Sequence, residues 1–363
     1  MGLKRIAADE ALLQWASFDT VIDARSEAEF AHDHLPGAVN WPVLNDAERA
    51  SVGTEYKQVS PFEARKRGAA LVSMNIARHL QVHVMDHPRS WRPLVYCWRG
   101  GQRSGSLSLV LDQIGFTVHV LDGGYQGFRR TVVEQTPALA ARLNYRVLCG
   151  RTGSAKSRLL QALAEQGAQV LDLEGLALHR GSVLGLVPGD QQPSQKAFET
   201  QLWQVLRGLD PARPVWVEGE SRTIGRLRLP EALLQRMRVA PVVQVQMPLA
   251  ARVAFLLQDY AHFVDNVEAL CERLDLLREL RGAKTVERWQ QAARQGEMGS
   301  MVEELLSTHY DPGYLKSMPR NFSGFAASQV VDLVDGTPAT LQAVARTLLD
   351  GVFEPRPVND LSA

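Results

Sequence analysis

Cysteine is scarce in this 363-residue sequence, which contains only Cys97, Cys149 and Cys271. Three cysteines so far apart along the chain exclude a disulfide framework and a four-thiolate zinc site. Long apolar runs are also missing, because none approaches the about 18 residues of a membrane-spanning helix. The first 19 residues contain no apolar segment of a secretory signal. We therefore expect a soluble, cytoplasmic protein with no membrane partner.

Neither sign of charge is in excess, because 40 Lys and Arg residues balance 40 Asp and Glu residues. Without a global positive potential, any contact with RNA must come from a local basic patch. Apolar residues make up 45% and charged residues 22% of the sequence, proportions that exclude wholesale disorder. The length predicts about two domains, each with its own core.

The first third of the sequence alternates short β-rich runs with segments of helical spacing. Helical spacing covers Glu63–His79 and Ser104–Ile114. The predicted strands are Thr20–Asp23, Pro93–Cys97 and Thr117–Leu121. Strands that alternate with helices predict a parallel α/β domain, which we assign to residues 1–135, followed by a linker at 136–144 around Pro137.

A second α/β pattern occupies residues 145–363. Its predicted elements are a strand at Tyr145–Cys149, a helix at Ser157–Gln166, and strands at Gln169–Leu173, Pro214–Glu218 and Val242–Met247. From Leu249 onward the spacing is helical, and Gly282 is the expected stop. One apolar face of this helical part is formed by Phe263, Val267, Leu270, Leu274 and Leu277.

A glycine-containing loop lies between the strand at 145–149 and the helix that follows it. The residues of this loop are Gly150, Arg151, Thr152, Gly153, Ser154, Ala155, Lys156 and Ser157. In a Walker A loop, backbone N–H groups and the helix N-terminus bind phosphate oxygens, the lysine adds positive charge, and the Ser hydroxyl binds Mg²⁺. The strand–loop–helix context favours this phosphate site over an incidental glycine-rich turn.

Two further residues bear on the phosphate site. Ala155 occupies the position before the lysine where the Walker A pattern has glycine. Alanine is tolerated there if its φ stays negative, but its methyl group could crowd the phosphates or narrow the range of ligands. Glu218 ends the strand at Pro214–Glu218, where a second acidic residue near the metal is expected, although a carboxylate at a strand end is as often merely solvated.

Cys97 begins the loop Cys97-Trp-Arg-Gly-Gly-Gln-Arg103-Ser104, which follows an apolar strand and precedes a helix. Loop amides and the helix N-terminus can converge on the sulfur, and Arg99 and Arg103 add positive charge. Both effects favour a thiolate and any anion attached to it, so we predict these three residues to be catalytic. Cys149 ends a strand and Cys271 lies on the apolar helix, so both are predicted core residues.

Residues 10–130 resemble a rhodanese domain. Asp23–Phe30 (DARSEAEF) is similar to that family's acidic-arginine strand end, His34–Asn40 (HLPGAVN) to its HIPGAxN turn, and Leu121–Phe128 (LDGGYQGF) to its closing LxGGxxxW stretch. Simple sulfurtransferases of this fold usually have four residues between the Cys and the Arg, whereas five separate them here. This wider loop, of the sort seen in phosphatase relatives, implies room for a larger atom or a tetrahedral oxyanion.

Four more segments are similar to the bacterial tRNA 2-selenouridine synthases: Asp172–Ser182, Gln192–Glu199, Val217–Arg222 and His309–Tyr314. With the cysteine loop, they extend the resemblance over nearly the whole chain. The resemblance implies a transferase that acts on the wobble 2-thiouridine of certain tRNAs. In that family the base is S-geranylated with geranyl diphosphate, and selenium from selenophosphate then replaces the geranylthio group. No tightly bound cofactor is implied, and Mg²⁺ at the phosphate site would be held through Ser157.

Basic residues outside the two loops are candidates for contact with RNA. His179 and Arg180 precede Ser182 and could orient a substrate phosphate or the uridine, although a capped loop with a surface basic pair explains them equally well. A solvated charged face is likewise the alternative for the remaining basic cluster. Its members are Arg222, Arg226, Arg228, Arg236 and Arg238, with Lys66, Arg129 and Arg130 in the first domain.

Two other classes of function are compatible with these motifs. One is a cysteine-dependent sulfurtransferase or phosphatase joined to a nucleotide-binding P-loop switch. The other is a non-catalytic RNA-binding scaffold with an inactive P-loop, against which the intact cysteine loop and the Lys-Ser pair argue. We prefer the tRNA-modifying transferase.

Overall fold

A computed structural model describes residues 3–181, 191–261, 263 and 266–351. The chain divides into two compact units. Unit one is Met1–Thr136 with Pro193–Gln204, and unit two is Pro137–Gln192 with Val205–Ala363. Among the described residues, no helix combines the length and the apolar character that crossing a bilayer requires.

In its described residues, unit one contains a five-stranded sheet with the order β1-β5-β4-β2-β3, in which every pairing is parallel. The strands are β1 (Lys4–Ile6), β2 (Thr20–Asp23), β3 (Val39–Asn40), β4 (Pro93–Tyr96) and β5 (His119–Leu121). All four residues of the central strand β4 are buried, because helices cover both faces of a parallel sheet. Asp23 pairs with Tyr96, so the end of β2 lies beside the start of the cysteine loop.

The helices of unit one have clear start signals in the sequence. They are α1 (Ala8–Leu13), α2 (Glu27–His32), α3 (Asp46–Gln58), α4 (Pro61–His79), α5 (Gln102–Ile114) and α6 (Gly124–Ala141), with a π-helical turn at Leu80–Val84. The side chain of Asn45 accepts a hydrogen bond from the Glu48 N–H before α3, and Ser60 caps α4, which starts at Pro61. The core between these helices and the sheet includes Ile22, Trp41, Trp91, Val95, Leu107 and Leu111.

The chain passes from unit one to unit two between Thr136 and Pro137, inside the predicted linker at 136–144, but this segment is not an irregular linker, because helix α6 continues to Ala141 with Pro137 inside it. Proline has no N–H to donate to a helical hydrogen bond, which destabilises a helix interior. For this reason the sequence predicted a linker around Pro137. Val132, Thr136 and Ala140 are nonetheless all buried. Their four-residue spacing places them on one helix face, so burial of that face outweighs the local preference.

Unit two contains a second parallel sheet, with the order β12-β11-β6-β8-β7 among the residues described. Its strands are β6 (Asn144–Gly150), β7 (Gln169–Leu171), β8 (Pro214–Glu218), β11 (Val242–Gln246) and β12 (Gln329–Asp332). A separate antiparallel hairpin joins β9 (Thr223–Ile224) and β10 (Leu227–Arg228). The pairing of Leu148 with Glu218 brings the end of β8 beside the glycine loop that follows β6.

Helices surround this sheet and continue into a helical C-terminal part. They are α7 (Lys156–Glu165), α8 (Leu173–Ala177), α9 (Gln195–Gly208), α10 (Glu231–Arg238), α11 (Leu249–Asp259), α12 (Val267–Asp275), α13 (Arg278–Arg281), α14 (Ala283–Arg294), α15 (Met298–Leu305), α16 (Asp311–Asn321) and α17 (Pro338–Leu349), with a π-helical turn at Leu306–Tyr310. Leu270, Leu274 and Leu277 are buried in a cluster with Phe263, and Gly282 separates α13 from α14 at φ +82°. The predicted α/β fold class with a helical C-terminal region is therefore confirmed.

The first part of helix α9 belongs to unit one, although the chain on both sides of Pro193–Gln204 belongs to unit two. Phe198 and Trp203 are fully buried. The indole N–H of Trp203 donates to Gln135 Oε1 at 3.2 Å, and its ring packs edge-on against Phe128 with centroids 5.4 Å apart. This segment therefore completes the core of unit one.

We expect Trp203→Ala to lower the free energy of unfolding of unit one by about 3–5 kcal/mol, because it leaves a large cavity in a buried position. Phe62→Ala is the matched control, since Phe62 is an aromatic residue of unit one that is 65% exposed. The control should change stability by less than about 0.5 kcal/mol. Urea unfolding followed by circular dichroism measures both, and equal stability of the two variants would contradict the placement of this segment.

Candidate active sites

The sulfur of Cys97 lies in a buried polar cradle at the end of β4. Its side chain is 3% exposed, and the hydroxyl of Ser104 donates a hydrogen bond to Sγ at 3.2 Å. Burial alone would raise the pKa of the thiol. The hydroxyl and N–H of Ser104, the charge of Arg103 and the N–H of Gly101 together bring the pKa of Cys97 below its ordinary value. The cradle thus favours a thiolate.

Two glycines allow the cysteine loop and the Leu121–Phe128 segment to approach closely. A Cβ on Gly124 (φ +55°) would lie 2.3 Å from the Cys97 carbonyl oxygen, and one on Gly100 (φ +68°) would lie 2.5 Å from the Leu121 oxygen. The N–H of Tyr125 donates to the Cys97 carbonyl at 2.8 Å. Only glycine fits both positions, so this closing segment fixes the shape of the cysteine loop.

The two predicted catalytic arginines occupy different surroundings. Arg103 contacts the carboxylate of Glu29 at 2.7 and 3.4 Å, and Arg49 contacts the same carboxylate at 3.1 Å. Glu29 therefore holds Arg103 at the cradle, where its charge acts on the sulfur. Arg99 is exposed and donates to Gln126 Oε1 at 2.9 Å, so it lies at the mouth of the loop.

A buried ion pair between Arg25 and Asp23 lies next to Tyr125, in the segment that closes the cysteine loop. The Arg25 guanidinium donates to the Asp23 carboxylate at 2.6 to 3.0 Å and to the Asp33 carbonyl at 2.7 Å, and it lies 4.1 Å from the ring centroid of Tyr125. Arg25 and Asp23 are almost completely buried. Loss of either partner would leave an uncompensated buried charge, so this pair holds the Tyr125 segment against the sheet.

The glycine loop of unit two connects β6 directly to α7. Lys156 Nζ donates to the carbonyl oxygen of Gly150 at 2.9 Å and to that of Arg151 at 3.4 Å. Gly153 adopts φ +82°, and Ser154 Oγ is buried without a hydrogen-bond partner among the described residues. Backbone N–H groups at a helix start, a lysine and an unsatisfied hydroxyl form a cradle suited to phosphate oxygens.

Ala155 does not adopt the negative φ at which alanine was expected to be tolerated. Ala155 adopts φ +55° and ψ 27° as the residue that precedes α7, a left-handed conformation that costs a residue with a Cβ about 1–2 kcal/mol. Its methyl group packs in a core cluster with Leu148, Leu159 and Leu160. This burial offsets the strain, so the loop keeps the backbone path that glycine would normally supply.

Three glutamates converge beside this loop, and two of them, Glu174 and Glu220, were not predicted. One carboxylate oxygen from each of Glu174, Glu218 and Glu220 lies within 4.8 Å of the others. Glu218 is fully buried, and neither of its oxygens has a hydrogen-bond partner in the described chain. Glu218 ends β8 and Glu220 follows it, whereas Glu174 lies in α8 just after β7. The acidic motifs Glu-Gly-Glu and Asp-Leu-Glu at these strand ends were the available sequence signal.

The protonation of these glutamates reflects burial and mutual repulsion. Burial, and then the neighbouring carboxylates, hold the pKa of Glu218 well above its ordinary value and raise that of Glu220 to about 7. The hydroxyl of Ser157 donates to Glu174 Oε2 at 2.9 Å, and Lys156 supplies the nearby positive charge. An all-oxygen donor set with an unsatisfied buried carboxylate fits Mg²⁺. Ser157 thus lies beside the three glutamates, and these residues would hold the ion.

A cavity of about 560 Å³ opens over the glycine loop. Arg180 lines it, donates to the Asp259 carbonyl at 3.0 Å and pairs with the Asp259 carboxylate. His179 also lines it and accepts a hydrogen bond from the Gly181 N–H, whereas Ser182 lies outside the described residues. Arg151 faces Asp311 at 3.6 Å. His179 and Arg180 therefore both lie at the cavity, and Arg180 is held there by an acidic partner.

The predicted RNA-contacting arginines are divided by their exposure. Arg222, Arg226 and Arg228 are exposed on or next to the β9–β10 hairpin, whereas Arg236 and Arg238 are half-buried on α10. In unit one, Lys66 pairs with Glu63, Arg129 pairs with Glu199, and Arg130 is exposed. The hairpin is thus the compact basic feature of unit two.

The remaining cysteines are core residues, as predicted. Cys149 is 1% and Cys271 is 3% exposed. Burial raises the pKa of Cys149 to about 12, and burial also raises the pKa of Cys271. Thiols held protonated in this way are poor nucleophiles, so Cys97 alone among the three has the surroundings of a reactive cysteine.

A cysteine cradle on one parallel sheet and a phosphate loop on another define a rhodanese-like domain joined to a P-loop domain. The sequence matches the rhodanese-like domain over residues 7–131 and the tRNA 2-selenouridine synthase AAA domain over residues 143–275. The tRNA 2-selenouridine synthase of Alcanivorax borkumensis is 35% identical over 81% of this chain and 88% of its own, and that of Bdellovibrio bacteriovorus is 33% identical over 88% and 94%. The chain belongs to the tRNA 2-selenouridine synthase family.

We expect Ser104→Ala to raise the pKa of Cys97, because a hydrogen bond that stabilises the thiolate is lost. A titration of thiolate absorbance in the ultraviolet measures the change, with Cys97→Ser identifying the signal. Ser108→Ala is the matched control, because Ser108 is a buried serine of the same helix and its hydroxyl has no partner in the described residues. An unchanged titration in Ser104→Ala would contradict the role of this hydroxyl.

Proposed function

We propose that the protein converts wobble 2-thiouridine in tRNA to 2-selenouridine in two steps. Geranyl diphosphate first alkylates the sulfur, and selenium from selenophosphate then replaces the geranylthio group. The observation that carries the proposal is the presence of two separate anion-binding loops, one with a thiol that favours its anion and one with a lysine and a serine. Both small reactants are phosphate esters or phosphate analogues, and the relatives are named tRNA 2-selenouridine synthases.

The P-loop serves the alkylation step in this proposal. The thiocarbonyl sulfur attacks the first carbon of the geranyl chain, the carbon–oxygen bond breaks, and diphosphate leaves. Lys156, the loop N–H groups and Arg151 would stabilise the charge that develops on this leaving group. Mg²⁺ held by Ser157 and Glu218 would supply further neutralisation when bound. Glu174 and Glu220 complete the oxygen donors around that position.

The Cys97 cradle serves the selenium step. Its N–H groups, Ser104 and Arg103 suit either an anionic sulfur or the oxygens of selenophosphate. Selenium carried on Cys97 as a perselenide is two electrons more oxidised than in selenophosphate, so that form of carriage needs an oxidant. Selenophosphate held beside the thiol requires no oxidant. Its selenium can displace the geranylthio group at C2, which leaves as geranylthiol, and water then cleaves the selenium–phosphorus bond and releases phosphate.

The exposed arginines of the β9–β10 hairpin are the proposed contact with the tRNA backbone. Arg222 pairs with Glu231 at 3.1 Å, and the side chain of Arg226 donates to the backbone of Gln192. These contacts hold the hairpin guanidinium groups in place while leaving Arg222, Arg226 and Arg228 exposed. Phosphate binding by such a patch requires no net positive charge on the protein.

We expect Lys156→Ala to slow geranylation of thiolated tRNA by about 10²–10³, the usual effect of losing one charge-stabilising contact. Lys284→Ala, at an exposed lysine of α14, should retain the wild-type rate. The measurement is single-turnover formation of the geranylthio nucleoside at saturating geranyl diphosphate. An unimpaired rate with abolished ATP binding would instead favour the nucleotide-switch alternative.

We expect Cys97→Ser to form the geranylthio nucleoside, accumulate it, and lose 2-selenouridine, because the hydroxyl does not reproduce the size and acidity of the thiol beside which selenophosphate is held. Arg103→Ala should reduce 2-selenouridine more mildly, since the Cys97 thiol remains. Nucleoside profiles after incubation with thiolated tRNA, geranyl diphosphate and selenophosphate measure both effects. Normal 2-selenouridine from Cys97→Ser would refute the role of the thiol, and loss of both products would show that the steps are coupled.

A further inference from the structure

A second cavity in unit two adjoins the phosphate cavity and differs from it in chemistry. It has a volume of about 60 Å³ and lies among helices α11, α12 and α15. Its wall is formed mainly by leucine and methionine side chains, including Leu270, Met298, Met301 and Leu305. These side chains offer contact to an aliphatic group and no hydrogen bond to a polar one.

The two cavities are neighbours and share part of their walls. Thr152, Leu256, Tyr260 and Tyr310 line both of them. A Cβ on Gly153 would lie 2.9 Å from Leu256 Cδ1, so the phosphate loop rests directly on a side chain that also bounds the apolar cavity. A ligand with a phosphate head at the loop can therefore extend an attached chain past Leu256.

We propose that this apolar cavity binds the terminal isoprene unit of geranyl diphosphate, an inference that rests on the function proposed above. At about 10–15 Å³ for each water-sized group, the cavity holds about four to six such groups, which corresponds to a five-carbon unit. The first isoprene unit then lies in the phosphate cavity, where the reacting carbon must be. Methionines adapt readily to a branched hydrocarbon chain.

The same wall disfavours a nucleoside in this position. The edges of a nucleobase carry several donors and acceptors, and their burial without partners costs affinity. Beyond Thr152 and the two tyrosines, the side chains of the wall have no conventional hydrogen-bonding groups. An aliphatic diphosphate can place its phosphates at the loop and its chain in the apolar cavity, whereas a nucleotide can use only the phosphate loop.

Calorimetry on the full-length protein with three probes tests this assignment: inorganic diphosphate, dimethylallyl diphosphate with five carbons, and geranyl diphosphate with ten. Each buried methylene contributes a factor of about four, so partial burial of the second unit should make geranyl diphosphate bind about a hundredfold tighter than dimethylallyl diphosphate. Met301→Trp fills the cavity and should remove this preference while leaving binding of the five-carbon compound unchanged. Leu280→Trp, at a leucine that is 67% exposed, should retain the preference.

If Met301→Trp does not fold, Met301→Ala tests the assignment of the apolar cavity. This change deepens the cavity and should increase affinity for farnesyl diphosphate relative to geranyl diphosphate by at least about tenfold, because the longer chain gains buried carbons. A folded Met301→Trp that keeps the full preference, or a Met301→Ala that gains nothing for the longer chain, would overturn the cavity assignment and leave the proposed function standing. A wild-type protein that neither prefers geranyl diphosphate nor transfers its chain would instead refute the proposed function itself.

Discussion

A carboxylate that is buried without a hydrogen-bond partner among the described residues constrains the whole phosphate site of unit two. Glu218 lies at the end of β8, and Glu174 and Glu220 face it across less than 4.8 Å. Three carboxylates cannot all be ionised at this separation unless positive charge lies among them. Lys156 supplies one charge, and a divalent cation would supply the rest. The loop, the start of α8 and the end of β8 must therefore keep their register for the site to bind its ligands.

The cysteine loop and the phosphate loop reach similar shapes with different backbones. Each follows a buried parallel strand and leads into a helix, an arrangement whose N–H groups suit an anion. The cysteine loop reaches this shape with glycines at Gly100 and Gly124, which adopt positive φ without strain. The phosphate loop reaches it partly through Ala155, whose strain is offset by packing. A shape that burial maintains in this way resists rearrangement when the ligand leaves.

Local sequence signals predicted the elements that local physics determines. The apolar runs at β4 and β8 are buried strands, and both loops stand where their motifs place them, between a strand and a helix. Long-range packing decided what the sequence did not predict. Pro137 remains inside α6 because one face of that helix is buried, and Glu174 reaches Glu218 only because β6, β7 and β8 are neighbours in the sheet. No spacing rule along the chain expresses either effect.

The assignment of Pro193–Gln204 to unit one has a consequence for the order in which the chain acquires its structure. A nascent chain is made from its N-terminus, and its domains generally fold as units when they are complete. The ring of Phe128 finds its partner, Trp203, only after another 75 residues have been made. By then β6, β7 and α7, which belong to unit two, have already been synthesised. The unit that comes first in the sequence thus cannot be completed until part of unit two has been made, and a fragment cut at its nominal end would expose the surface that α9 covers.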